Sequence, residues 1–83
     1  MGEVVKSVLI IEQDIYTREA VRDLLLLEWP ELNILTADSG QTGITTAQHQ
    51  KPDLILLSER LPHRDSYQTA ERLRQTPETR SVV

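Results

Sequence analysis

The side chains of this sequence that could do chemistry stand at the ends of two apolar runs. Glu12-Gln13-Asp14 follows Ser7-Val8-Leu9-Ile10-Ile11 directly, Ser58 follows Leu54-Ile55-Leu56-Leu57, and His63 lies just past Pro62. Carboxylates, a hydroxyl and an imidazole are the parts of nucleophilic and acid–base catalysis, and Ser58, His63 and Glu12 or Asp14 invite a hydrolase triad. The surroundings argue against one. No nucleophile elbow surrounds Ser58, and a serine hydroxyl without an adjacent base is a poor nucleophile at neutral pH. His49 falls near the end of a helical stretch, where an imidazole faces solvent and the helix carbonyls.

The elements that must position these groups follow from periodicity. Leu54 to Leu57, between Pro52 and Pro62, is too short for a helix and is read as a strand buried on both faces, the habit of a central parallel strand. Ser7 to Ile11 is a second strand. From Thr17 the period changes to three and four, with Ala20, Val21, Leu24, Leu25 and Trp29 on a helix that Pro30 ends. Leu32 to Ala37 fits an outer strand. Asp38-Ser39-Gly40 offers a turn and cap for a second helix reaching about His49, with Gly43, Ile44 and Ala47 as a thin apolar stripe that must lean on tertiary contacts. Ser66 is read as the cap of a third helix with Tyr67, Ala70 and Leu73 inward and Pro77 at its end, and Ser81-Val82-Val83 opens a fourth strand. Strand and helix alternate, so the connections are right-handed crossovers in a parallel sheet. In such sheets ligands collect beyond the carboxyl ends of the strands, where Glu12 and Ser58 both stand.

Composition bounds the rest. The 83 residues make one small domain, 1–83, burying about 60 to 65% of its extended surface. Thirteen acidic against nine basic residues give a net charge of −4, which speaks against a nucleic-acid partner. Arg72, Arg74 and Arg80 are read as a solvated face. Cysteine is absent, so no disulfide or thiolate site exists. The early apolar run is shorter than a signal peptide or a membrane span, which leads us to expect a cytoplasmic protein with no membrane contact.

Taken together, the strand ending in Ile-Ile-Glu12, Arg18-Glu19, Ala37 with Gly40, Pro52-Asp53-Leu-Ile-Leu-Leu57, Leu61-Pro62, Leu73-Arg74 and Val82-Val83 resemble the receiver domain of bacterial two-component response regulators. The resemblance runs from about residue 7 to the last residue. It implies an α/β fold, the three-layer flavodoxin-like sandwich with parallel strand order 2-1-3-4, the second and third helices on one face and the first on the other. It also implies an acidic pair after the first strand that holds Mg²⁺, and an aspartate after the third strand that accepts a phosphoryl group.

This sequence departs from that pattern at the chemistry. Glu12 fills the first acidic place, Gln13 stands at the second, Asp14 lies one residue on, and Ser58 occupies the phosphoacceptor place. A serine cannot form an acyl phosphate, and two neutral replacements remove much of the charge that would hold Mg²⁺, so we expect no cofactor, with Mg²⁺ at most weak. Glu12 to Asp14 is read either as a residual cation site or as a polar loop capping the first helix, and Ser58 as a relic hydrogen-bonded locally or a regulatory hydroxyl. Ser66 replaces a glycine common in the following loop. The family continues into a switch residue, a fifth strand with a lysine and a last helix, and the sequence stops before them. On that reading the sheet face beside the first helix is uncovered, and Leu24, Leu26, Leu27 and Trp29 form a surface for a homodimer or protein partner.

The expected function is a phosphorylation-independent pseudo-receiver, not an enzyme, that acts as a protein-interaction module in two-component phosphorelay signalling. Two alternatives are an N-terminal piece of a longer regulator and a weakly active Mg²⁺-dependent phosphoacceptor using Asp14 or Asp53. Asp53 stands at the amino end of its strand, on the wrong side of the sheet for that chemistry.

Overall fold

The structure, a computed structural model, describes residues 4–61 and 65–75. Its elements run β1 (Ser7–Ile11), α1 (Ile15–Glu28), β2 (Asn33–Ala37), α2 (Gly40–Gln50), β3 (Leu54–Leu57) and α3 (Asp65–Gln75). The strands form one parallel sheet in the order β2-β1-β3, with Ile11 opposite both Ala37 and Leu57. The predicted order 2-1-3 is therefore present. The fourth strand, Ser81 to Val83, and the Pro77 stop lie outside the described residues.

Period-two alternation on β1 divides the molecule into three layers. Leu9 and Ile11 point to one face, where they join Ala37, Ile44, Ala47, Ile55, Leu61 and Leu73 in the buried core beneath α2 and α3. Val8 and Ile10 point to the other face, where each shares a cleft with a residue of α1, Val8 with Leu25 and Ile10 with Val21. The two faces are covered unequally. No residue of α1 is fully buried, whereas α2 buries Gly40, Gly43, Ile44 and Ala47. Leu9, Ile11, Ile55 and Leu73 are wholly enclosed, and each contributes about 1.5 to 3 kcal/mol by leaving water.

α2 is rich in glycine and threonine and holds its place through close approach. A Cβ on Gly43 would press into Ile11, at 2.7 Å from its Cγ1, and one on Gly40 would collide with Thr69 of α3. The helix starts on Ser39, whose Oγ accepts from Thr42 N at 3.1 Å. It ends on Lys51 in the left-handed region (φ 49°), with Pro52 next, a stop usually given to glycine.

Four expectations change. α1 begins at Ile15 rather than Thr17, because its first-turn residues Ile15 and Tyr16 are exposed and carry no apolar periodicity inward. β3 is only partly enclosed: Ile55 is buried but Leu54, Leu56 and Leu57 are half-buried, Leu54 and Leu56 because α1 covers their side of the sheet incompletely, while Leu57 on the opposite face packs against the buried core. α3 turns inward Ser66, Thr69 and Leu73 rather than Tyr67, Ala70 and Leu73. Thr69 approaches Gly40 so closely that a Cβ on the glycine would collide with it, and Tyr67 is left 79% exposed. Lastly, Ser66 lies inside α3 and does not cap it. Among the described residues no helix is long and apolar enough to cross a membrane.

Candidate functional site at the carboxyl edge of the sheet

The parallel ladder continues one residue past each strand. Glu12 N donates to Ala37 O at 2.9 Å and Ser58 N to Ile11 O at 3.0 Å. With Ile11 opposite Leu57, Glu12 and Ser58 are neighbours on adjacent strands, about 5 Å apart along the sheet. The two positions singled out from sequence are thus brought together at one edge.

What their side chains do there is local. Glu12 is 8% exposed and its Oε2 accepts from Asp14 N at 3.0 Å, so the carboxylate folds back on its own loop. Asp14 is the N-cap of α1. Its Oδ2 accepts from Thr17 Oγ1 at 2.6 Å and Thr17 N at 2.9 Å, and these bonds, first the hydroxyl and then the amide, hold its pKa below the ordinary aspartate value. Gln13 is exposed and neutral. Arg18, one turn into α1, donates from Nη1 to Glu12 O at 2.9 Å and Gln13 O at 3.3 Å, fastening the loop to the helix by its carbonyls. An open cleft of about 450 Å³ remains between Glu12, Gln13, Asp14, Thr17 and Arg60.

Ser58 is tied down from both ends. Its Oγ accepts from Arg60 N at 3.0 Å, a turn of the kind serine commonly makes with backbone two residues on. Its carbonyl accepts from Ser66 Oγ at 2.6 Å, and the same Ser66 oxygen accepts from Leu61 N at 3.2 Å. Ser66 is therefore a buried latch between the β3 tip and α3. Sequence reasoning missed the roles of both Ser66 and Arg18. The spacing of Arg18, four residues after a capping aspartate, was the available signal for the second; nothing local signalled the first.

The residues present do not fit Mg²⁺. That ion is held by carboxylate oxygens in near-octahedral geometry, and this edge offers one enclosed carboxylate turned to a backbone amide, one engaged as a helix cap, an amide and a hydroxyl. Among the described residues no three acidic or histidine side chains converge. Asp53 sits at the opposite edge, where its Oδ2 accepts from Lys6 N at 2.8 Å and Ser7 N at 3.0 Å, a structural tie for the start of β1.

The surface proposed from sequence divides. Leu24 and Leu27 are 64% and 79% exposed on the outer side of α1 and Trp29 is 55% exposed at its end, but Leu26 is half-buried on the other flank.

Comparison with known proteins gives a consistent result. Residues 8–83 match the family model for the response regulator receiver domain. An uncharacterized response regulatory protein of Vibrio cholerae is 34% identical over 67 residues, 80% of this chain and 26% of that protein. The transcriptional regulatory protein AfsQ1 of Streptomyces coelicolor is 37% identical over 70 residues, 84% of this chain and 30% of the relative. The chain thus spans under a third of the length of either relative. Among solved structures, a MaeR mutant response regulator bound to sulfate superposes with a TM-score of 0.84 at 21% identity, over 96% of this chain and 66% of that one. The response regulator domain of Thermotoga maritima CheB gives 0.79 at 20%, over 94% and 58%. These likenesses show the fold.

Proposed function

The chain belongs to the response regulator receiver domain family, and on that premise we propose that it is a phosphorylation-independent pseudo-receiver, a single domain over residues 1–83 that serves two-component signalling by binding protein. Receiver domains are signalling modules rather than enzymes. The observation that carries the reading is Ser58, a neutral hydroxyl at the β3 tip already engaged with Arg60 N. The site assignment goes with it: Ser58 at the degenerate phosphoacceptor position, Gln13 at a degenerate metal position, and Glu12 and Asp14 serving the loop rather than a cation. Without a carboxylate at the tip no acyl phosphate forms, so the binding surface keeps one conformation whatever the phosphodonor supply.

The test is intact-mass measurement after incubation with Mg²⁺ and acetyl phosphate. The expected result is no phosphate adduct that hydroxylamine removes; such an adduct on the unaltered chain would overturn the reading. In a second arm, Gln13→Asp with Ser58→Asp restores two carboxylates beside Glu12, and calorimetry should then detect Mg²⁺ binding that the unaltered chain lacks.

The shares of the relatives that are covered, 26% and 30%, favour a second reading compatible with the first. In it, these residues are the N-terminal part of a longer regulator, and the same phosphate-independent surface governs its output.

A further inference from the structure

We propose that the outer edge of β2 pairs with the same edge of a second copy of the chain, antiparallel and centred on Leu35, so that two sheets join into one. The inference does not depend on the pseudo-receiver reading: it needs only the sheet, and its test reads association rather than phosphorylation.

β2 is the outer strand of the sheet, and in the order 2-1-3-4 the next strand joins β3 at the opposite edge. Its inner groups are fixed by two bonds: Asn33 N donates to Lys6 O at 2.9 Å, and Ala37 O accepts from Glu12 N at 2.9 Å. Alternation along the strand then turns the N–H and C=O groups of Asn33, Leu35 and Ala37 toward β1 and those of Ile34 and Thr36 outward. No described residue bonds to these outward groups. The features that usually blunt such an edge are missing. β2 reads Asn-Ile-Leu-Thr-Ala, without a charged residue or proline, and its register with β1 runs without a bulge.

The edge is complementary to itself. With Leu35 opposite Leu35 of the second copy, Ile34 faces Thr36 and Thr36 faces Ile34, and each of these pairs points its backbone groups inward to the joint and exchanges both bonds. Centring on Ile34 instead sets Thr36 against Leu32, whose N–H is already given to Trp29 O at 3.1 Å, and centring on Thr36 sets Ile34 against Asp38, beyond the end of the strand. Charge selects the occupant. In the Leu35 register Glu31 falls opposite Ser39 and Asp38 opposite Leu32, so no carboxylate meets another. A twofold axis normal to the sheet keeps each face on its own side, which sets α2, packed on β1 and β2, on the same side as its copy. Residues 39–50 hold no Asp, Glu, Lys or Arg in a chain that is 27% charged. A charged partner strand finds nothing to pair with here, whereas a second copy brings an equally uncharged strand and helix.

The sequence has no cysteine, so single thiols report the register. Leu35→Cys places the two sulfurs at the centre, where directly opposite Cβ atoms stand about 4.5 to 5.5 Å apart, while Thr36→Cys leaves them diagonal at about 7 to 8 Å, beyond disulfide reach. Thr36 is exposed and Leu35 half-buried, so chance collision favours the second variant and the proposed pairing the first. Under mild oxidation Leu35→Cys should form the disulfide dimer at least about tenfold faster than Thr36→Cys. Sedimentation of the unaltered chain at about 0.1 mM should give a mass near that of two chains. Thr36→Pro removes an N–H that bonds nothing within the chain, and it should weaken association at least about tenfold with circular dichroism unchanged. Should proline disturb the fold, the cysteine pair decides alone. A monomeric chain at that concentration, cross-linking of Thr36→Cys as fast as that of Leu35→Cys, or undiminished association of a folded Thr36→Pro variant would each overturn the proposal.

Discussion

Replacing Ser66 by alanine removes one oxygen atom, and the structure says what that atom holds. Its Oγ donates to Ser58 O at 2.6 Å and accepts from Leu61 N at 3.2 Å, in a residue only 7% exposed. Ser58 is half-buried, so water can replace the first bond at a net loss of about 1 kcal/mol. Leu61 is 5% exposed, and an amide left unpaired there costs about 1 to 3 kcal/mol. Alanine returns about 0.5 kcal/mol through its better helix propensity. The expected loss is therefore about 1.5 to 3.5 kcal/mol, read as a lower urea midpoint at unchanged slope and a fall of about 6 to 28 °C in Tm. Hydrogen exchange at the Leu61 amide should quicken. Ser58→Ala is the matched control, since it deletes only the exposed bond from Arg60 N and should cost under about 1 kcal/mol. A Ser66→Ala variant within about 0.5 kcal/mol of the parent, or a Ser58→Ala variant equally damaged, would refute the latch.

Two further outcomes follow from the same structure. Gly43→Ala sets a Cβ 2.7 Å from Ile11 Cγ1, so overpacking of about 1 to 3 kcal/mol should exceed the helix-propensity gain of about 1 kcal/mol, and adding Ile11→Val should recover part of the loss in a double-mutant cycle. Asp14 has a folded pKa below its unfolded value, so its contribution to stability is present above the unfolded pKa and is lost as pH falls through the folded one. Asp14→Ala should therefore destabilise the chain more at about pH 7 than at about pH 2, measured by denaturant midpoints, and equal losses at both would show that the charge does not matter.

The parallel core was legible because its residues have no other reading. Leu54 to Leu57 and Ser7 to Ile11 are branched aliphatic runs closed by polar residues, and both form strands with the bounds the pattern implied. The thin stripe of α2 was legible too, since Gly43, Ile44 and Ala47 share one face and all are buried. The inner face of α3 was not, because hydrophobicity favoured Tyr67, whereas the face turned inward carries Ser66, Leu73 and Thr69, the last in close approach to Gly40 of α2. The site shows the same division. Adjacent strand ends brought Glu12 and Ser58 together as strand register requires, but which carboxylate would bond which amide depends on loop geometry that no spacing encodes.

That loop geometry bears on function beyond the missing charge. In a receiver that responds to phosphate, the groups at the sheet edge must exchange partners when the ligand arrives, which requires that a second arrangement be nearly as stable as the first. Here Asp14 is committed to Thr17, Arg18 to two loop carbonyls, Ser58 to Arg60 and Ser66 to both the β3 tip and Leu61. Each commitment lowers the energy of one arrangement only. The same bonds, which hold this edge of the sheet together, therefore widen the gap to any alternative arrangement of it.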